Sequence, residues 1–352
     1  MDKEKIAVIF GGESSEHEVS CVSVTTIIKN IDTELYEIIL IGITKDGRWL
    51  LTDSIDNILD GSWRKSQKTA IILPDKAEHG ILIKDGDTYN MVHIDIVFPV
   101  LHGLNGEDGT IQGLLEMSGI PYVGCGVLAS SVAMDKITTK KIVNPLNIRQ
   151  AKYVPVFYGD GYNFSETAES IEKAFSYPVF VKPSNAGSSR GVSKACDRNE
   201  LKEAIEQAAK HDRRILVEEM IIGREVECAV LGNAAKKVEA SGVGEIFAAA
   251  DFYDYDAKYN SEDSQTVTDP ELPDGVREKI RSAAVKIFEE IDGFGLSRVD
   301  FFVEDKTNDV VFNEINTMPG FTDISMYAIL WEAQGLDKKS LVGKLIRMAK
   351  ER

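Results

Sequence analysis

Two short segments carry residue types that bind hard cations and polarise carbonyls: Arg298-Val-Asp300 and Asn313-Glu314-Ile-Asn316. In a strand, residues i and i+2 share a face, so Arg298 joins Asp300 and Glu314 joins Asn316. A turn at Lys306–Asn308 folds the two segments into a hairpin. Antiparallel pairing about that turn sets Asp300 opposite Glu314 and Arg298 opposite Asn316. One face then presents two carboxylates, an amide oxygen and a guanidinium, an oxygen-rich set that suits Mg2+ held jointly with phosphates. The spacing alone serves a solvated hairpin with a salt bridge equally well. The apolar residues between, Val299, Phe301, Val311 and Ile315, bury the opposite face and favour a site.

A second group could receive phosphates. Lys182 ends an apolar strand and leads into Pro183-Ser-Asn-Ala-Gly-Ser-Ser-Arg-Gly191. Successive backbone N–H groups in such a loop form an anion nest, and the lysine adds a point charge. No G-K-[ST] follows, so this is not a Walker A loop. A hairpin turn with an exposed lysine has the same spelling. Lys136 in Met134-Asp-Lys136 opens a helix and is a second candidate. Glu218 and Glu225 flank the short apolar link Met220-Ile221-Ile222, where acidic and backbone groups could meet an amine and hydroxyls. A polar strand edge reads identically. Glu16, at the start of a helix behind Gly11-Gly12, and His102, behind another strand, lie where open α/β sheets bind ligands, at strand carboxyl ends. Helix capping and a structural histidine are the plain alternatives.

These residues need a scaffold, and the chain is long enough for several cores at 352 residues. Lys5–Phe10, Tyr36–Thr44 and Ile94–Leu101 read as buried strands, with Glu16–Asn30 and Gly109–Met117 as helices. That alternation predicts an α/β fold with a parallel sheet covered on both faces. Residues 50–93 read as a polar, irregular excursion. A second unit spans 125–217, with helical Met134–Val143, Glu166–Phe175 and Glu200–His211 and four strands. The third, 218–352, has long strands (Glu225–Leu231, Lys237–Glu245, Ser297–Glu304, Val310–Asn316) followed by two helices. Within it, 248–268 is a long polar and aromatic stretch of the kind that forms lids.

The remaining composition narrows the class. Net charge is −17 with no basic block, which argues against nucleic acid. No apolar run reaches the roughly 18–20 residues of a membrane span. The opening MDKEKIAVIF enters a strand at once, which argues against a secretory leader and for the cytoplasm. Cys21, Cys125, Cys196 and Cys228 have neither zinc nor disulfide spacing and read as buried thiols. Gly124-Cys-Gly126-x-x-Ala129 matches a dinucleotide fingerprint, but the acidic residue expected about 20 positions on is missing.

Taken in order, GGESSEHEVS, VFPVLHGLNGEDGTIQG, MDK, VKPSNAGSSRGVSKA, FYDYDAKY, SRVDFF and FNEINTMPGFT resemble the D-alanine–D-alanine ligases of the ATP-grasp superfamily over essentially the whole chain. The resemblance implies a three-domain ATP-grasp architecture: an N-terminal Rossmann-like domain (1–124) and two α+β domains (125–217 and 218–352) that clamp ATP. It implies ATP-dependent synthesis of D-alanyl-D-alanine for peptidoglycan through an acyl phosphate, with two Mg2+ (Mn2+ as substitute) and a homodimer.

By the same resemblance, Lys136 and Lys182 would hold ATP phosphates. Glu218 and the link at Ile221 would bind adenine, and Glu225 the ribose. Asp300, Glu314 and Asn316 would hold the metal. Glu16 would pair with the first D-alanine's ammonium near His102, and Glu16, Ser188 and Tyr259 would close the lid. Lys258 would reach the transferred phosphate, and Arg298 with the Gly320 N–H would form an oxyanion hole. Ser325 and Met326 would bind the second substrate's carboxylate. The lid Lys258-Tyr259 pair argues against a lactate acceptor and the apolar Met326 against D-serine, which stays the alternative. A regulatory ATP-binding protein without catalysis would have lost the metal or oxyanion residues. Asp323 and Arg190 depart from the family's usual small or apolar residues.

Overall fold

A computed structural model describes residues 3–188, 190–247 and 265–352. The expected strands Glu4–Gly11, Tyr36–Ile43 and Ile96–Val100 form parallel pairs, because the long helix His17–Asn30 returns the chain to the starting edge. The excursion, expected to be irregular from its polarity, is instead regular. Its strands Trp49–Thr52, Thr69–Ile72, Gly80–Asp85 and Thr88–His93 extend the same sheet antiparallel, to seven strands in all. The outermost of them, Thr88–His93, is largely exposed, so its polar spelling hides the strand period.

A four-stranded sheet, in spatial order Ser193–Ala195, Val179–Pro183, Arg214–Glu219, Tyr153–Phe157, carries helices Phe164–Ala174 and Arg198–Ala208 on its own small core. Both helices start at side-chain caps, Asn163 and Asp197, which satisfy otherwise orphaned N–H groups. A five-stranded antiparallel sheet holds Gly223–Asn233, Lys237–Phe247, Gln265–Val267, Phe294–Glu304 and Val310–Asn316. Helix Val276–Glu290, absent from the sequence reading, covers one of its faces. Helices Val127–Met134 and Lys136–Val143 lead into the small sheet, yet Ala129, Val132, Ala133 and Val143 share the five-stranded sheet's core.

The other face of the five-stranded sheet meets the N-terminal sheet. Ile6, Val8 and Phe10 belong to the same continuous core as Leu296, Met318, Phe321, Leu345 and Ile346. The C-terminal helices Met326–Ala333 and Lys338–Ala349 fill that seam. Among the described residues, no helix is long and apolar enough to cross a membrane. Three of the four cysteines are buried, but Cys196 is exposed, unlike the expectation.

Candidate active site

The hairpin Phe294–Glu304/Val310–Asn316 has the expected register: Arg298 faces Asn316 and Asp300 faces Glu314. A bulge follows at Asp300/Phe301. Arg298 grips Asp300 with two parallel bonds, Nε to Oδ1 at 2.8 Å and Nη2 to Oδ2 at 2.7 Å. The Asn316 amide donates to Asp300 Oδ2 at 3.0 Å. Glu314 lies 3.4 Å from Lys136 Nζ. A third carboxylate belongs to this group: Glu227, almost fully buried, approaches Arg298 Nε at 3.1 Å. It sits on the neighbouring strand directly across from Asp300. Its signal was present in the sequence as the i, i+2 partner of Glu225.

Asp300, Glu314 and Asn316 all offer oxygen ligands on one face, and the two carboxylates are at present paired with cations, Asp300 with Arg298 and Glu314 with Lys136. That donor chemistry fits Mg2+. The cluster opens into a small cavity of about 50 Å³. A larger one, about 520 Å³, lies between the four-stranded and five-stranded sheets and shares Lys136, Ala186, Ser188 and Glu314 with the first. The larger is the size of a cofactor pocket.

Glu16 closes the small cavity opposite the hairpin. A side chain at Gly103 or Gly187 would meet its Oε2 at 2.7 and 2.8 Å, so both glycines make room for this carboxylate. Ser188 follows Gly187 with φ at +51°. Its hydroxyl is buried and has no hydrogen-bond partner among the described residues, so no Glu16–Ser188 bond is formed. Lys258 and Tyr259, expected in the lid, lie outside the described residues.

His102 is buried with both ring nitrogens engaged. Nδ1 faces the Met318 carbonyl at 2.8 Å and must donate to it, so Nε2 accepts from the Ser23 hydroxyl at 3.2 Å. Burial holds its pKa below the usual value, which keeps the ring neutral. Ser23 Oγ also accepts from the Phe321 N–H at 3.1 Å, and Glu107 accepts from the Met318 N–H at 2.9 Å. Burial and the nearby Glu16 push the Glu107 carboxyl up to about 8. Thus Ser23, His102 and Glu107 together fix the loop Met318–Phe321 that carries Gly320. Neither Ser23 nor Glu107 stands out in sequence, because the bonds they make to this loop span more than two hundred residues.

Ser325 caps the turn before helix Met326–Ala333 and accepts from the Thr322 N–H at 2.9 Å. The Met326 side chain packs into the core against Gly244. Among the described residues, neither Ser325 nor Met326 lines the small cavity. Asp323 is exposed beside Lys338, and Arg190 is also on the surface.

In the larger cavity Lys182, Glu218, Ile221 and Glu225 line the wall. Glu218 is buried, and each of its oxygens meets one lysine: Lys140 at 2.6 Å and Lys182 at 2.7 Å. Burial alone would raise this carboxyl, but the two ammonium groups overcome it and hold it at about 2. Burial likewise opposes the charge on Lys182, while Glu218 reverses that effect and raises its pKa. Lys140 was absent from the sequence reading. Lys136 Nζ reaches the Ala186 carbonyl at 2.8 Å, anchoring the glycine-rich loop to the helix that Asp135 caps.

Residues 5–125 match the family model described as D-ala D-ala ligase N-terminus, and residues 142–347 match D-ala D-ala ligase C-terminus. The D-alanine–D-alanine ligase of Acetivibrio thermocellus is 52% identical, covering 100% of this chain and 97% of that protein. The one from Ruminiclostridium cellulolyticum is 50% identical, over 100% and 96%. Among solved structures, the VanG D-Ala:D-Ser ligase from Enterococcus faecalis superimposes with a TM-score of 0.89 at 39% identity, covering 99% of this chain and 100% of that one. A D-alanine–D-alanine ligase from Bacillus anthracis complexed with ATP gives 0.72 at 27% identity, over 100% and 98%.

Proposed function

The chain belongs to the D-alanine–D-alanine ligase family, with the ATP-grasp fold, and from that premise we propose how its site works. Its activity is the ATP-dependent, ADP-forming ligation of D-alanine to D-alanine. The observation that carries the assignment of parts is the pair of joined cavities. A nucleotide in the larger one directs its phosphates toward Lys136 and Glu314, where the smaller one begins.

Lys136 and Lys182 hold the phosphates. Glu218 and the link at Ile221 receive the adenine, and Glu225 the ribose. Glu16 pairs with the first D-alanine's ammonium, with the buried face of His102 as a wall of that subsite. A free carboxylate is a poor electrophile. Transfer of the γ-phosphoryl to it gives an acyl phosphate and ADP. The neutral amine of the second D-alanine then attacks the acyl carbon, and inorganic phosphate leaves as the amide forms. Mg2+ held by Asp300, Glu314 and Asn316, two ions in this reading, would screen the phosphate charge. Arg298 and the Gly320 N–H stabilise the tetrahedral oxyanion, a contribution of about 3–4 kcal/mol per donor in other acyl-transfer enzymes. Ser325 and the Met326 backbone receive the second carboxylate. The working boundaries are 1–124, 125–217 and 218–352. The expected setting is a cytoplasmic homodimer acting in peptidoglycan precursor synthesis.

The test is a mass-spectrometric product assay with ATP, Mg2+ and D-alanine, alone and in competition with D-serine. D-alanyl-D-alanine as the dominant product, dependent on ATP and Mg2+, is expected. A dominant D-alanyl-D-serine product would keep the mechanism and overturn the acceptor assignment.

A further inference from the structure

The buried Glu218 has more positive charge around it than its own neutralisation requires. One carboxylate meets two ammonium groups, and the two lysines differ in their freedom. Lys140 is enclosed: its side chain is 2% exposed, with Glu218 at 2.6 Å, the Ala151 carbonyl at 3.5 Å and the Tyr153 ring centroid at 5.3 Å. Lys182 lines the large cavity at 17% exposure, with the Asn313 amide oxygen 3.4 Å away as a weak second partner. Lys140 also stands one helical turn from Lys136, so one short helix supplies both a cavity lysine and a buried one.

We propose that Lys140 is a positioning residue for nucleotide binding: it stays with Glu218 as a fixed counter-charge and so frees Lys182 to turn from Glu218 to a phosphate. The proposal rests on the reading that the larger cavity takes ATP. Without Lys140, Lys182 becomes the sole ionic partner of a buried carboxylate. Turning to phosphate would then leave that carboxylate uncompensated, which is the costly way to break a buried pair. With Lys140 present, the Lys140–Glu218–Lys182 cluster keeps one positive charge beyond its own neutrality, and Lys182 can offer it to an anion. A helix lysine with no contact to the nucleotide thereby sets the affinity for it.

The experiment compares wild type, Lys140→Met and Lys140→Arg in steady-state ADP release, varying ATP and D-alanine separately, with calorimetric ATP binding alongside. Lys140→Met is expected to raise the KM for ATP about 30-fold. The KM for D-alanine and the kcat at saturating ATP should stay within about threefold, and Lys140→Arg should bring the ATP KM back to within about threefold of wild type. A purely structural lysine would shift melting temperature and move both KM values together, or neither, and either result overturns the proposal. Should Lys140→Met fail to fold, Lys140→Gln carries the test, since it keeps a donor to Glu218 and removes only the charge. The same separation of the two KM values is expected there, and a wild-type ATP KM overturns the proposal. Failure of the wild type to bind ATP overturns the nucleotide reading, and the proposal with it. Intact wild-type binding with an unchanged Lys140→Gln overturns the proposal alone.

Discussion

The hairpin site and the Lys140–Glu218–Lys182 cluster are both buried arrangements of charge, but they are assembled differently. The hairpin groups lie on adjacent strands joined by one turn, and period-2 alternation places Arg298, Asp300, Glu314 and Asn316 on one face. The lysine cluster draws one member from a helix, one from a strand end and one from a neighbouring strand. In the first region the backbone register sets the whole geometry; in the second, register sets Lys182 diagonally across from Glu218, and only tertiary packing brings Lys140 to them. Local geometry of the first kind can hold a transition state rigidly. The second kind, with one enclosed cation and one at the cavity wall, is built to exchange partners.

The most severe test of the rigid half is Arg298→Ala. Arg298 holds Asp300 through two bonds and approaches Glu227, so its loss removes the proposed oxyanion donor and loosens the carboxylates proposed to hold the metal. Dipeptide formation should fall by at least about a thousandfold in kcat. ATP binding, measured by calorimetry, should survive, because the larger cavity does not include Arg298. Equal loss of both would mean that the two regions are not separable. Arg298→Lys keeps the charge without the planar fork and should recover little of the rate.

That division also explains what could be read in advance. The hairpin register, the buried N-terminal strands and the helix behind Asp135 follow from spacing, because each depends on neighbours a few residues away. The antiparallel extension of the first sheet was read as an excursion, since exposed edge strands such as Thr88–His93 have no apolar face to reveal their period. Lys140 and Ser23 carry no local mark. Their partners, Glu218 and the Phe321 N–H, are 78 and 298 positions away (218 − 140; 321 − 23) and are brought near only by the fold. Helix Val276–Glu290 is the contrary case, legible in principle, because Val276, Ile280, Ala283, Ala284 and Ile287 have helical spacing and are buried.

Glu218→Gln probes the exchangeable half by pH. The folded-state pKa of about 2 lies below the ordinary 4.5, so the carboxylate stabilises the fold above about pH 4.5. That stabilisation is lost as pH falls from there toward 2. By linkage the difference is on the order of 3 kcal/mol, shared with the lysines that cause it. Denaturant unfolding of wild type and Glu218→Gln should therefore show a gap at pH 7 that narrows steadily toward pH 3. A gap independent of pH would mean that Glu218 is not held ionised by its two lysines.

The smallest effect is expected at Gly187, which lines the small cavity between Ala186 and Ser188, two residues that both cavities share. A methyl group there would lie 2.8 Å from Glu16 Oε2, but that oxygen ends a flexible side chain and can move aside. Gly187→Ala should thus cost little stability, within about 0.5 kcal/mol. The displaced carboxylate is the proposed partner of the first D-alanine's ammonium, so the KM for D-alanine at that subsite should rise by about three- to tenfold, with the ATP KM unchanged. Separate variation of ATP and D-alanine distinguishes the two. If the ATP KM rose instead, the glycine-rich loop would act chiefly on the phosphates, and the boundary between the two regions would run through Glu16 rather than beside it.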